Sequence, residues 1–134
     1  DEPLVAVPVT LTVLVADLTV EPPALELALY EGMTDTLPLV VSNPGDAALD
    51  WTLTEVTPVD WLSEDPINGT LAAGEPMTIT VLFDSTGLMA GEVLMTTLHI
   101  SGSGPDAPYV DVPVTLTVLG KEGYHYFLPI VLRR

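Results

Sequence analysis

The chain has no cysteine, and not one lysine or arginine precedes Lys121. The first absence removes disulfide frameworks, thiolate metal sites and cysteine nucleophiles. The second leaves 18 acidic residues without a basic partner over residues 1–120; Lys121, Arg133 and Arg134 come only in the tail. A body of that sign repels phosphate backbones and anionic lipid, so no nucleic-acid partner is expected. Histidine is scarce too: His99 and His125 have no companion at metal-ligand spacing. No apolar run reaches the ~18 residues of a membrane-spanning helix. Ser63, Ser85, Ser101 and Ser103 lack the nucleophile-elbow motif, and Gly102-Ser103-Gly104 lacks the rest of a phosphate-binding fingerprint. The expectation is a protein without catalytic residues, metal or cofactor.

The acidic residues read first as a solvated surface. Two functional alternatives stand beside that: loose Ca²⁺ binding at Glu64-Asp65 or at Asp46 and Asp50, or attraction between the acidic body and another copy's basic tail. Neither carboxylate group has the regular oxygen-ligand spacing of a calcium loop.

What is present is alternation. Val5, Val7, Val9, Leu11 and Val13 point one way, with Ala6, Pro8, Thr10 and Thr12 opposite, which is the pattern of a half-buried strand. Further strands are predicted over 16–20, 24–30, 34–42, 48–56, 76–84, 91–101 and 109–119; the composition of 24–30 suits a helix equally. Turn chemistry separates them at Asn43-Pro44-Gly45-Asp46, Asp65-Pro66-Ile67-Asn68-Gly69, Ala73-Gly74-Glu75 and Ser101 to Asp106. Short strands at this spacing predict an all-β fold, an antiparallel immunoglobulin-like β-sandwich of about seven strands. Trp51 alternates with Leu49 and Leu53 and is expected in the core. Trp61 is read as core as well, with a glycan contact through ring stacking as the alternative. Asn68-Gly69-Thr70 reads first as turn chemistry, with a glycosylation sequon at Asn68 as the alternative.

Several stretches carry a family resemblance: Asn43, Gly45 and Trp51; Trp61-Leu62; Gly69, Leu71 and Gly74; Thr78 to Val81; Asp84, Gly87 and Gly91; and the closing Val-Pro-Val-Thr-Leu-Thr-Val. Over residues 16–119 the chain resembles the immunoglobulin-like repeats of secreted bacterial proteins, BACON-like and Hydin-type repeats above all. That resemblance implies tandem extracellular modules acting as spacers, adhesive units or glycan-associated domains.

One feature is left over. Residues 3–14, PLVAVPVTLTVL, return at 108–119 as PYVDVPVTLTVL; only Leu4/Tyr109 and Ala6/Asp111 differ. In a tandem array the last strand of one repeat runs into the first strand of the next. Residues 1–15 therefore read as an extra N-terminal strand, 16–119 as the sandwich, and 120–134 as an apolar tail ending in two arginines. That tail suits either a surface-anchoring signal or a docking strand, and is too short to span a bilayer as a helix. Burying Val5, Val7, Val9, Leu11 and Val13 yields about 1.5–3 kcal/mol each. Ordering the backbone costs about 1–2 kcal/mol per residue. Docking thus also needs ladder hydrogen bonds from a preformed edge. Pro8 and Pro113 lack a donor at matching places, which predicts that each strand is unpaired on one side there. Two edges can serve: the chain's own sandwich, or that of another copy. The second gives a homopolymer by strand donation, an extracellular filament, with glycans or a cell surface as further partners. The rival expectation is a terminal repeat of a larger secreted protein.

Overall fold

The computed structural model describes residues 3–103 and 108–120. The expectations for the tail, for His125 and for the turn through Gly104 to Asp106 lie outside the described residues. Among the described residues there are nine strands and no helix: β1 (Thr19–Glu21), β2 (Leu25–Tyr30), β3 (Thr34–Ser42), β4 (Leu49–Glu55), β5 (Leu62–Asp65), β6 (Asn68–Leu71), β7 (Pro76–Asp84), β8 (Val93–Gly102) and β9 (Tyr109–Leu119). They form a four-stranded sheet, β1-β3-β7-β5, against a five-stranded sheet, β2-β9-β8-β4-β6.

Period-two patterning decides the packing. Leu39 and Val41 of β3 and Ile79, Val81 and Phe83 of β7 face Leu49, Trp51 and Leu53 of β4, Leu98 and Ile100 of β8, and Val112, Val114, Leu116 and Val118 of β9, all buried. Polar residues between them face out, as two inner sheet faces require. The ambiguous stretch 24–30 is a strand. Its partner is unexpected: β2 runs parallel to β9, from Leu25↔Val114 to Tyr30↔Leu119, where every other pair is antiparallel. The reason is a change of sheet. Residues 19–21 pair with β3, the chain crosses over at Pro22-Pro23, and residues 25–30 join the opposite sheet beside β9.

The predicted turn at 65–69 is also a sheet crossing. It holds the end of β5 and the start of β6, which belong to opposite sheets and are separated only by Pro66 and Ile67. Gly69 lies against the Trp51 indole there, and a Cβ at this position would sit a tight 3.1 Å from the indole nitrogen. Asn68 is accordingly exposed on an edge strand, not at a turn.

Trp51 fills the centre of the core at 1% exposure. Trp51→Ala removes the largest fully buried side chain and leaves a cavity the two sheets cannot close. Denaturant unfolding should show a loss of about 3–5 kcal/mol; a loss below about 1 kcal/mol would contradict this packing.

Candidate functional site

Residues 3–14 are the part of the molecule whose side chains are least accounted for. They form no strand, and Val5, Val7, Val9, Leu11 and Val13 are 70–88% exposed. The same five places in the copy are Val110, Val112, Val114, Leu116 and Val118, of which the last four are buried core. The segment therefore carries a core-facing apolar row with no core beneath it.

Its root is held firmly. The Asn43-Pro44-Gly45-Asp46 loop follows β3 and grips residues 15–17. Asp46 accepts from the Val15 N–H through Oδ1 at 2.7 Å, and its own N–H donates to the Val15 carbonyl at 2.9 Å. Asn43 Oδ1 accepts from the N–H groups of Asp17 and Gly45, each at 3.0 Å. Its Nδ2 donates to the carbonyls of Ala47 at 2.6 Å and Leu71 at 3.2 Å. Asn43 is fully buried, so each of these bonds replaces a lost water. Gly45 is obligatory, because a Cβ there would lie 2.2 Å from the Val15 carbonyl oxygen. Beside this clamp an open groove is lined by Val13, Val15, Ala16, Pro44 and Pro108. Residues 13–17 thus leave the sandwich next to the start of β9.

The free edges near the root are uneven. β2 begins opposite Val114, so residues 109–113 of β9 are paired with β8 alone. Pro113, without an N–H, sits at the last position of that one-sided stretch, as the proline pattern predicted. Pro38 obeys the same rule in β3, where β1 covers only residues 40–42.

On the outer face of β8 and β9, His99 stands opposite Asp111, with Nδ1 to Oδ1 at 2.6 Å. The Tyr109 ring lies 5.2 Å from the imidazole, centroid to centroid. The sequence offered no sign of this cluster, since its members are 10 and 12 residues apart along the chain. A cross-strand register is what joins them.

Trp61 is 6% exposed and packs on Phe83 with ring centroids 6.3 Å apart. Trp61 is thus a core residue, and the small part of it left exposed lines an open groove beside Val59 and Leu88. Glu64 points inward from edge strand β5, on the same side as buried Leu62. Its Oε2 has no hydrogen-bond partner. Burial pushes the Glu64 carboxyl up to about 8, aided by a hydrogen bond to Glu55 and the repulsion of its charge. An inward carboxyl at half burial is unlike an open calcium ligand. Among the described residues no three acidic or histidine side chains converge.

Two outcomes follow from these contacts. Asn43→Ala removes the acceptor of the part-buried Asp17 N–H and a donor to the buried carbonyl of Leu71, and should cost about 1–3 kcal/mol in denaturant unfolding; hydrogen exchange should quicken at residues 15–17 first. Glu64 holds its proton in the fold up to about 8 but only to 4.5 when unfolded. The folded state binds more protons between those values, so stability contributed by this group falls as pH rises through that window. Glu64→Gln should flatten that fall and leave the variant more stable than the parent above pH 8, measured by thermal unfolding across pH.

No protein-family model and no curated protein matches the chain. Solved structures do. A PapD-like (ASH) domain of human CEP192 superimposes with a TM-score of 0.70 at 13% identity, over 90% of this chain and all of that one. A chain of the CsuC-CsuE chaperone–tip adhesion subunit pre-assembly complex of Acinetobacter baumannii Csu pili gives 0.65 at 13% identity, over 78% of this chain and 53% of its own. WR4, an MSP family member of C. elegans, gives 0.60 at 11% identity, over 75% and 97%. This chain therefore spans about half the length of the pilus-assembly chain. At such identities the likeness is one of fold, and none of these neighbours is named as an enzyme. The fold is an immunoglobulin-like β-sandwich of the PapD and MSP type.

Proposed function

We propose that the protein is a non-enzymatic structural subunit of a secreted or cell-surface assembly, which joins like sandwiches end to end through residues 3–14. The observation that carries this is the exposed apolar row from Val5 to Val13, a copy of the row that β9 buries. A partner sheet supplies the core and the ladder hydrogen bonds that the segment lacks, as in strand addition generally. Polarity supports a linear arrangement. The segment leaves beside Pro108 at one end of β9, and β9 spans ~33 Å at roughly 3.3 Å per residue to Leu119 at the other. A strand offered at one end and a chain leaving at the other give a heterologous contact, which extends as an open filament. The likeness to a chain of a pilus pre-assembly complex is compatible with this use of the fold.

A second reading rests on the sequence identity itself. The segment repeats β9 at every core-facing position, and the β9 place in this sandwich is filled. Residues 3–14 then close a preceding BACON-like or Hydin-type repeat of one longer protein, and the module works as a spacer, adhesive or carbohydrate-binding repeat. Glycosylation at exposed Asn68 would fit either role.

Light scattering and electron microscopy of the intact chain separate the two. Under the homopolymer reading, concentration-dependent filaments form, and they strengthen with salt as repulsion among the 19 acidic residues is screened. Removing residues 1–14 should leave a folded monomer, and Val9→Asp should weaken association by at least tenfold through an unpaired charge in the seam. A monomeric intact chain at all concentrations would leave the repeat reading in place and overturn the homopolymer.

A further inference from the structure

Residues 3–14 and 108–119 carry the pattern for one place, and the structure seats 109–119 there as β9. Each can present the same five core-facing side chains to β8, and each carries its proline at the same position. A chain folding with both segments has to choose. Of the twelve aligned positions only two differ, and both touch one side chain: Asp111 bonds His99 Nδ1 at 2.6 Å, and Tyr109 lays its ring 5.2 Å from the same imidazole. In the upstream segment those positions are Ala6 and Leu4, which offer neither an acceptor nor an aromatic face.

We propose that His99 is a specificity-determining residue for strand choice: with Asp111 and Tyr109 it admits β9 and rejects residues 3–14 from the same slot, which reserves that segment for a different sheet. This rests on residues 3–14 being a β9-type strand, the premise of the function proposed above. All three side chains project from the outer face of the sheet, away from the core, so they distinguish the segments without disturbing the shared apolar row. A hydrogen-bonded pair directly across the ladder and an aromatic diagonal neighbour are the contacts by which strands select partners. The slot's rejection works by loss of contacts rather than by collision: the intruding strand fits the core but leaves the imidazole unpaired. The partner sheet that does accept residues 3–14 is thereby constrained too. Opposite Ala6 and Leu4 it has no use for an imidazole.

The chain's lack of cysteine makes the choice directly measurable. Thr97 of β8 is the cross-strand partner of Pro113, whose counterpart upstream is Pro8. A disulfide between Thr97→Cys and Pro8→Cys after refolding from denaturant therefore records residues 3–14 in the β9 slot. Thr97→Cys with Pro113→Cys records the native choice and confirms that the variants fold. Adding Leu4→Tyr and Ala6→Asp to the first pair makes the two segments identical over residues 3–14 and 108–119 except at the reporting cysteine, which the two variants compared share. That should raise the yield of the Pro8→Cys disulfide by about five- to tenfold, the scale of one or two cross-strand contacts. With His99→Ala introduced as well, the yields with and without those two changes should become equal. Equal yields while His99 is present, including none in either, overturn the proposal. Only the intramolecular disulfide is scored, at dilution, so assembly does not enter this readout, and a monomeric chain would count against the function proposed above and leave this test intact.

Discussion

The buried amide of Asn43 is the contact on which the rest of the molecule's geometry depends. A side chain with no exposure has to use its whole bonding capacity internally, and Asn43 does so between three separate parts of the chain. It receives the Asp17 N–H, turns the loop through Gly45, and donates into the carbonyls of Ala47 and Leu71. The neighbouring backbone joins in, with the Asn43 N–H donating to Glu75 and its carbonyl accepting from Gly74. The entry of β1, the β3–β4 loop and the β6–β7 turn are thus tied to one residue. Without that knot the core would still have its alternating face, but residues 15–17 would have no fixed exit. Ser85 has the same role past the end of β7, where its hydroxyl donates to the Tyr30 carbonyl at 2.6 Å and accepts from the Met33 N–H at 3.0 Å.

A sandwich has open edges, and exposed strand edges invite pairing with other chains. This one limits them. β1 and β6 are only 3 and 4 residues long, and β5 turns Glu64 inward, a choice with a cost in desolvation. The one-sided stretch of β9 ends at Pro113. Such precautions matter more in a chain that also carries a spare, strand-ready segment. Net charge helps in the same direction. With almost no positive charge to form ion pairs, the sandwich bodies repel one another at low salt, and close approach has to be earned by a specific apolar seam.

Period-two alternation made the six longer strands legible, together with the burial of Trp51, because a pleated strand between two sheets buries every second side chain; the same alternation in residues 3–14 forms no strand, since no sheet lies beneath it. The stretches 34–42, 76–84 and 109–119 kept their bounds, 24–30, 48–56 and 91–101 shifted by a residue or two, and 16–20 shrank to β1 at Thr19–Glu21. What alternation does not encode is partnership. β5 and β6 are four residues each, too short to show a period, and Pro66 and Gly69 at their junction read as a turn. The parallel pairing of β2 depends on where the chain changes sheets, a three-dimensional event with only Pro22-Pro23 to mark it. Trp61 was ambiguous because a single aromatic beside a loop has no neighbouring pattern to assign its face; Phe83, which covers it, lies 22 positions away. The His99 cluster was hidden for the same reason.

Register also gives the duplicated strand its meaning. Read along the chain, two substitutions in twelve positions look like ordinary drift. Read across the ladder, they coincide with the two contacts of one imidazole, while the five apolar positions and the proline that suit any sheet of this type are kept. A sequence free to drift would change outward threonines as readily as those two sites; Thr10 and Thr12 match Thr115 and Thr117 unchanged. The identical part of the segment makes it able to enter an immunoglobulin-like sheet. The different part, in the strand choice proposed above, decides which sheet. Affinity and address are thus divided between opposite faces of one strand: the inward row supplies apolar burial, and the outward pair of positions supplies discrimination. A strand can then be generic enough to complete a sandwich and still be kept out of its own.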